Sequence, residues 1–448
     1  MNAHWEPYIS TDAAPWDIRR VVHLHRCAAF GATWSELQRD LHDGPEASVS
    51  RLLTGSAHAD GLRPNFEALS TQVADAAVIS NDAERLKAWW LLRMFFSPDP
   101  LAERLALMWH NHFATSNFKV KDLAAMRRQN DTFRKLGRSH FAELFDAMLH
   151  DAALLVWLDS PSNRKGQPNE NLARESMELF TLGVGNFTED DVKQAARALT
   201  GQSVADGEFR LRPQWHDDAD KTILGQTAPF DARSLARLLL AQPPTARRLA
   251  WRLCLTFLGE NVASEQDLAD IAQGLRDHDL DIAWAVQTIL RSQLFFSEPN
   301  LNAHVTGPVE FVIGAACALE LFDPPPSTLV LAEWVRRLGQ DLFTPPNVGG
   351  WNEGRSWLTT RTVLARANYA AALVHGELSL SSSVPDLAAL ARRAGSADTL
   401  PDSIQFFSDL LLGRRLPPEE LQKITAHAGN SLPDSIAMLL ATPQAQLA

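Results

Sequence analysis

NRKGQPNENLARESMELFTLGVG, residues 163–185, opens as a loop and turns into a helix. Lys165, Gly166, Pro168 and the asparagines punctuate its first half, and an amphipathic run follows. At about 100° per residue, Asn171, Arg174, Glu175 and Glu178 share one narrow arc. Leu172, Ala173, Met177, Leu179 and Phe180 cover most of the remainder. Asn169 or Asn171 fits the N-cap, and Gly183 or Gly185 the C-cap. Two carboxylates, an amide and a guanidinium on one arc either build a site or form a solvated helix face.

Outward from this stretch the helical period dominates. On the N-terminal side, helices are expected over 17–30, 34–41, 46–53, 66–79, 83–96, 101–113, 124–135, 142–149 and 153–158. A helix over 189–199 follows, with Thr188 as its cap. Residues 201–230 change character: Gly201, Gly207, Pro213, Gly225 and Pro229 separate short alternating pieces, which predicts a small β-hairpin-like insertion. Helical patterns resume from 232 and run to 373, interrupted by an irregular Gly/Pro loop near 344–357. The fold class is therefore all-α, a large multi-helix bundle. Residues 1–200 form its N-terminal helical part and 231–378 a second helical part of the same core. A Ser-rich break, SLSSSVPD, sets off residues 379–448 as a small C-terminal helical module that packs on the bundle without being needed for its core. In this module LPDSI occurs twice, at 400–404 and 432–436, each time opening a helix with Asp or Ser as cap.

At 448 residues the chain is long enough for a large buried core. A net charge of −12 without a long Lys/Arg run argues against broad binding to nucleic acid or to an anionic membrane. No run of apolar residues reaches membrane-spanning length. The first residues lack a basic segment followed by an apolar one, so a cytoplasmic protein is expected. Cys27, Cys254 and Cys317 are far apart and read as small core residues rather than a disulfide framework. Thirteen Trp against two Tyr point either to ligand-lining aromatics or to a large helical core that absorbs them.

Four further places concentrate polar chemistry. His110 and His112 stand in WHNHF at the end of an apolar helix; they diverge while helical and share a face only if the chain extends there. His23 and Cys27 have i, i+4 spacing, which would suit two zinc ligands. HDDAD at 216–220 gathers His216, Asp217 and further carboxylates that either hold a cation or form an acidic turn. GGWNEGR at 349–355 presents Trp351 and Arg355, either to stack and clamp a ligand or to fasten the loop. Phosphate-loop, dinucleotide-loop, HExxH and GxSxG patterns are absent. If these places converge, His110, His112, His216 and Asp217 would hold a divalent metal (zinc, iron or manganese). Glu175, Glu178 and Arg174 would then be catalytic, with Asn171, Trp351 and Arg355 binding substrate. Burial of the carboxylate arc would bring Glu175 or Glu178 to a ring nitrogen of His110 or His112.

NENLARESMELFTLGVG followed by FTEDDVKQAARALTG resembles the signature of the bacterial family called domain of unknown function 1800. HLHRCAAFGAT at 23–33, WHNHFATS at 109–116, HDDADKTILG at 216–225 and TPPNVGGWNEGRSWL at 344–358 match that family in order. The resemblance covers roughly residues 15–375 and implies a shared fold and site without implying a reaction. It also implies a sulfatase-like protein partner, because family members are often encoded beside one, and export, which is common among them. Two functions are expected. One is an enzyme, metal-dependent and hydrolytic or oxidative, acting on a small polar or carbohydrate-like substrate. The other is a non-catalytic helical scaffold or accessory protein. Motifs lining one open cavity favour the first, and packed, dispersed motifs favour the second.

Overall fold

The helix Pro100–His112 is buried along its whole length, and the rest of the protein is layered around it. Asp99 caps it, its Oδ1 accepting from the Ala102 N–H at 3.0 Å, and Pro100 occupies the first turn, where a missing N–H costs nothing. Helices Ala83–Phe96, Leu123–Leu136, Ile18–Ala28 and Pro45–Thr54 pack on it. Its two charged residues are neutralised inside the protein. Glu103 accepts from Arg93 Nε at 2.8 Å and Arg134 Nε at 2.6 Å. Burial alone would raise the Glu103 pKa, but the two guanidiniums hold it below the usual carboxylate range. Arg104 pairs with Glu310 on the helix Pro308–Ala318.

The computed structural model describes residues 1–55, 66–378, 384–395 and 399–448. The Gly/Pro link before Phe66 and residues 379–383 of the Ser-rich break lie outside the described residues. Among the described residues the fold is mainly helical, as the periodicity predicts. Capping sets many helix starts: Thr33 with Glu36, Thr188 with Asp191, and Ser264 with Asp267 form reciprocal capping boxes. The caps of the LPDSI pair lie outside the repeat, three positions before the Asp of each copy. Thr399 and Ser431, each just before the Leu, are the caps, and they accept from the N–H groups of Asp402 and Asp434.

One close approach fixes how the first helix meets the second half. A Cβ on Gly314 would sit 2.3 Å from the Phe30 carbonyl oxygen, and one on Gly31 would sit 2.9 Å from the Gly314 carbonyl oxygen. Only glycine fits at both places, so the Pro308–Ala318 helix lies directly on the end of Ile18–Ala28.

Residues 201–230 form two hairpins rather than one. Strand β1 (Gln202–Ala205) pairs with β2 (Glu208–Leu211), and β3 (Lys221–Ile223) pairs with β4 (Gln226–Ala228), both antiparallel. They are too short to stand alone and are anchored to helices. Gln202 Nε2 donates to the Leu149 carbonyl at 3.1 Å, and the Leu224 N–H donates to Asp191 at 2.7 Å.

The C-terminal helices Leu387–Arg393, Leu400–Leu412, Pro418–His427 and Leu432–Ala441 share the hydrophobic cluster of the rest of the chain. Ile404, Phe407, Ile436 and Leu439 are fully buried. Beyond them, His304 and Ala448 exchange backbone hydrogen bonds at 3.1 and 2.7 Å. Gln446 accepts from buried Arg366 at 3.0 Å, and Arg26 donates to the Ala445 carbonyl at 2.8 Å. No helix among the described residues is long and apolar enough to cross a membrane. The three cysteines are buried, and none is joined in a disulfide.

Candidate functional site: a π-helical turn carrying two carboxylates

The asparagines at the entry close the loop in sequence. Asn163 Oδ1 accepts from the Asn169 N–H at 2.9 Å, and Asn169 Oδ1 accepts from the Asn171 N–H at 3.0 Å. An α-helical turn, Asn171–Glu175, follows. The chain then widens into a π-helix over Ser176–Thr181, with the Leu182 N–H reaching the Met177 carbonyl at 2.8 Å, five residues back. The wider turn leaves carbonyls that other helices satisfy. Arg248 Nε donates to the Leu179 carbonyl at 2.8 Å, and His112 Nε2 donates to the Phe180 carbonyl at 3.1 Å. The 100° spacing therefore stops applying after Glu175, and the single arc expected from the sequence is not the observed surface.

Arg174 points away from that surface. It forks onto Glu189 at 2.9 and 2.7 Å and reaches Glu170 at 3.0 Å. Asn171 is exposed and donates to Asp159 at 3.2 Å. Glu175 and Glu178 are left half-exposed, with no hydrogen bond or ion pair to either carboxylate among the described residues. Burial raises the Glu175 pKa, the charge of Glu178 raises it further, and Arg174 opposes both. Arg248 lies within electrostatic reach of Glu178, and its own pKa is lowered by burial and by Arg252. Its guanidinium also stands 5.1 Å from the Trp251 ring, which is partly exposed.

The two histidines of WHNHF serve separate purposes. The helix stays wound through His112, so the extended geometry that would let both rings face one cation does not form. His112 is neutral: burial, with Arg252 and Arg248 nearby, puts its pKa well below the ordinary value. His110 lies in a box of Trp90, Phe133, Phe343 and Trp351, with ring centroids 5.3, 6.0, 5.6 and 5.4 Å away. Neither of its ring nitrogens has a partner, and burial drops its pKa to about 3. The electrostatic neighbours that shift the Glu175 carboxyl are Glu178 and Arg174; neither histidine is among them.

Asn111, between them, fastens the Gly/Pro loop. Its Oδ1 accepts from the Trp351 N–H at 2.6 Å, and its Nδ2 donates to the Trp351 carbonyl at 3.4 Å. A Cβ on Gly350, whose φ is +86°, would come within 2.2 Å of Asn111 Oδ1, so the lock demands glycine there. Trp351 is buried, whereas Arg355 projects into solvent about 4.0 Å from Glu260. The pair therefore does not form a clamp. Trp351→Ala is expected to cost about 3–5 kcal/mol. A fall in melting temperature would show this, and an unchanged Tm with lost ligand binding would return Trp351 to a binding role.

HDDAD is committed to the insertion. His216 Nδ1 donates to the Thr200 carbonyl at 2.9 Å, and the Asp217 N–H donates to Thr200 Oγ1 at 2.8 Å. Arg197 Nε donates to Asp217 at 2.7 Å and, as the largest influence, lowers its pKa. Lys165 pairs with Asp218 at 2.6 Å. His23 and Cys27 are both buried, and desolvation pushes the Cys27 thiol up to about 12, so it stays protonated. Among the described residues no three His, Cys, Asp or Glu side chains are grouped so as to hold a metal ion. His110, His112, His216 and Asp217 are thus not assembled as the expected ligand set.

The sequence missed Arg248 and Arg252, one helical turn apart in RRLAWRL, because nothing local tied them to the motif helix. It also missed a buried network in which Glu310 accepts from His304 at 2.8 Å beside Arg104. The space beside that network is only about 60 Å³, room for ordered water rather than a substrate.

No curated protein and no solved structure matches the chain. One family profile does, over residues 23–447, and that span takes in the π-helical turn, both hairpins, the Asn111–Trp351 lock and the C-terminal helices. The chain belongs to the family described as protein of unknown function (DUF1800).

Proposed function

We propose that the protein is an enzyme whose working groups are Glu175 and Glu178, acting by acid–base chemistry on a small polar or carbohydrate-like substrate. One observation carries this reading. Apart from the solvent-exposed Arg355, the other motif charges described above are taken up in ion pairs or hydrogen bonds, whereas these two carboxyls, one at the entry to the π-helical turn and one on it, are left unpaired. Their surroundings differ: Glu175 is biased toward its protonated form, while Glu178 has Arg248 nearby. A carboxyl held toward its protonated form can serve as the acid, with the neighbouring carboxylate as the base. Glu175 would donate a proton to a leaving oxygen, and Glu178 would take one from the attacking water. Arg248 and Trp251 would hold the substrate.

Glu175→Gln and Glu178→Gln are expected to melt like the wild type, because neither removes a partnered group. Turnover of a responsive probe from a panel of nitrophenyl glycosides and esters should fall about a hundredfold or more. Failure of the wild type to turn over any probe, or full activity in both variants, would count against the enzyme.

An accessory scaffold is the second reading, supported by the dispersed locks Asn111–Trp351, His112–Phe180, Arg174–Glu189 and Asp217–Arg197. Its partner would be the sulfatase-like protein. Saturable binding of that protein, unaffected by the glutamine substitutions and without turnover, would favour it.

A further inference from the structure

A cleft of about 590 Å³ lies between the β1–β2 hairpin, the turn at His216 and the start of the Ala232–Leu240 helix. That volume is within the range of small-ligand sites. Phe209, Leu211, Pro213 and Pro229 give it apolar walls. Its polar lining is one-sided. Gln202 is buried; one N–H of its amide donates to the Leu149 carbonyl at 3.1 Å, and its Oε1 has no partner.

Two imidazoles in the same lining are held alike. His216 Nδ1 donates to the Thr200 carbonyl at 2.9 Å, and His150 Nδ1 donates to the Asp146 carbonyl at 2.7 Å. A carbonyl can only accept, so in each neutral ring the proton is on Nδ1 and Nε2 is an acceptor. Asp231, which also lines the cleft, uses Oδ1 to cap the Ala232–Leu240 helix at Ser234. The remaining carboxyls and hydroxyls are engaged: Asp218 with Lys165, and Thr200 with the Arg197 carbonyl and the Asp217 N–H. Arg233 is an exposed cation of the lining.

The chemistry that matches follows from counting donors and acceptors. A hydroxyl brings an acceptor with every donor, so a sugar or polyol placed here would need donors from the walls. Beside the one N–H that the amide has left, the buried amide and the two oriented imidazoles offer three acceptors. An ammonium group has three donors and no acceptor, and it gains further from an aromatic face and a carboxylate. We propose that this cleft binds a small organic amine, its ammonium taken by the acceptors of Gln202, His216 and Asp231 and its apolar body resting on Phe209 and Leu211.

The test is calorimetric titration of the full chain with tyramine and with tyrosol, its neutral alcohol analogue, at mildly alkaline pH and low salt. Tyramine should bind one to one, and tyrosol about tenfold more weakly or not at all. Gln202→Leu removes the orphaned acceptor, and Asp231→Asn keeps the helix cap while removing the charge. Each should weaken tyramine about tenfold. Arg233→Glu, at an exposed position, should tighten tyramine several-fold and leave tyrosol unchanged. Equal affinity for the two probes, no binding of either, or indifference to Gln202→Leu and Asp231→Asn would overturn the proposal. Loss of tyramine binding in Glu175→Gln would overturn it as well, by placing the amine at the carboxylate turn. That last variant keeps this inference separable from the enzymatic reading.

Discussion

Truncated after Leu378, the protein is expected to be insoluble or to melt without a cooperative transition. The removed segment buries Ile404, Phe407, Ile436 and Leu439 completely, and the surfaces they cover belong to the same apolar cluster as the main bundle. Uncovering the faces opposite even four such side chains forfeits about 1.5–3 kcal/mol each. Polar losses add to this. Arg366 is buried and would lose Gln446, and Arg26 would lose the Ala445 carbonyl. Each keeps one partner at Thr306, and every charge-assisted bond lost adds about 1.5–3 kcal/mol. The sum meets or exceeds the roughly 5–15 kcal/mol that holds an ordinary domain folded. Circular dichroism and calorimetry on the truncated chain decide the matter. A soluble product with a sharp transition would bear out the boundary at 379 as a module edge.

A second large effect is expected on acidification. His23 and His110 are buried, and desolvation lowers both pKa values from 6.5 to about 3; His112 moves the same way. Below about pH 6.5 the unfolded chain takes up protons that the folded chain refuses, so stability is complete above that value and is lost as pH falls toward 3. At about pH 5 His23 and His110 each cost roughly 2 kcal/mol. Asp151 acts in the opposite sense. Burial raises its pKa to about 6, so its protonated form steadies the fold below that pH, by about 1 kcal/mol at pH 5. The imidazoles outweigh the carboxyl: His23 and His110 together cost about 4 kcal/mol against about 1 from Asp151, so a net loss of about 3 kcal/mol between pH 7 and 5 is expected, and His112 adds to it in the same direction. His110→Phe, which also removes two unpartnered nitrogens from an aromatic box, should recover about 2 kcal/mol of it at pH 5. Denaturant titrations at the two pH values measure this. A His110→Phe curve parallel to the wild type would show that His110 titrates normally in solution.

The helical architecture was legible because its signals are local: period, capping residues such as Thr188, and the Gly/Pro punctuation of residues 201–230. The candidate site was legible only in part. Glu175 and Glu178 were visible as an acidic pair, but the π-turn that presents them is held by Arg248 and His112, about seventy positions away on either side. A wheel drawn through Arg174 could not show that its guanidinium turns to Glu189 instead. Trp351 and Arg355, four apart in a loop, read as a pair; one is buried against His110 and the other extends into water. The amine cleft was invisible for the same reason, since His150, Gln202 and Asp231 come from three separate segments.

The widened turn at Ser176–Thr181 also bears on how this chain tolerates changes in length. A π-turn is an α-helix carrying one residue too many, kept in place by outside donors to its spare carbonyls. Loss of a single residue there would not break the helix but relax it into ordinary winding. The Leu179 and Phe180 carbonyls would rejoin the helical ladder, Arg248 and His112 would be left with nothing to hold, and Glu178 would swing to a new bearing relative to Glu175. At this point in the sequence, a one-residue deletion is a change of aim rather than a defect of folding.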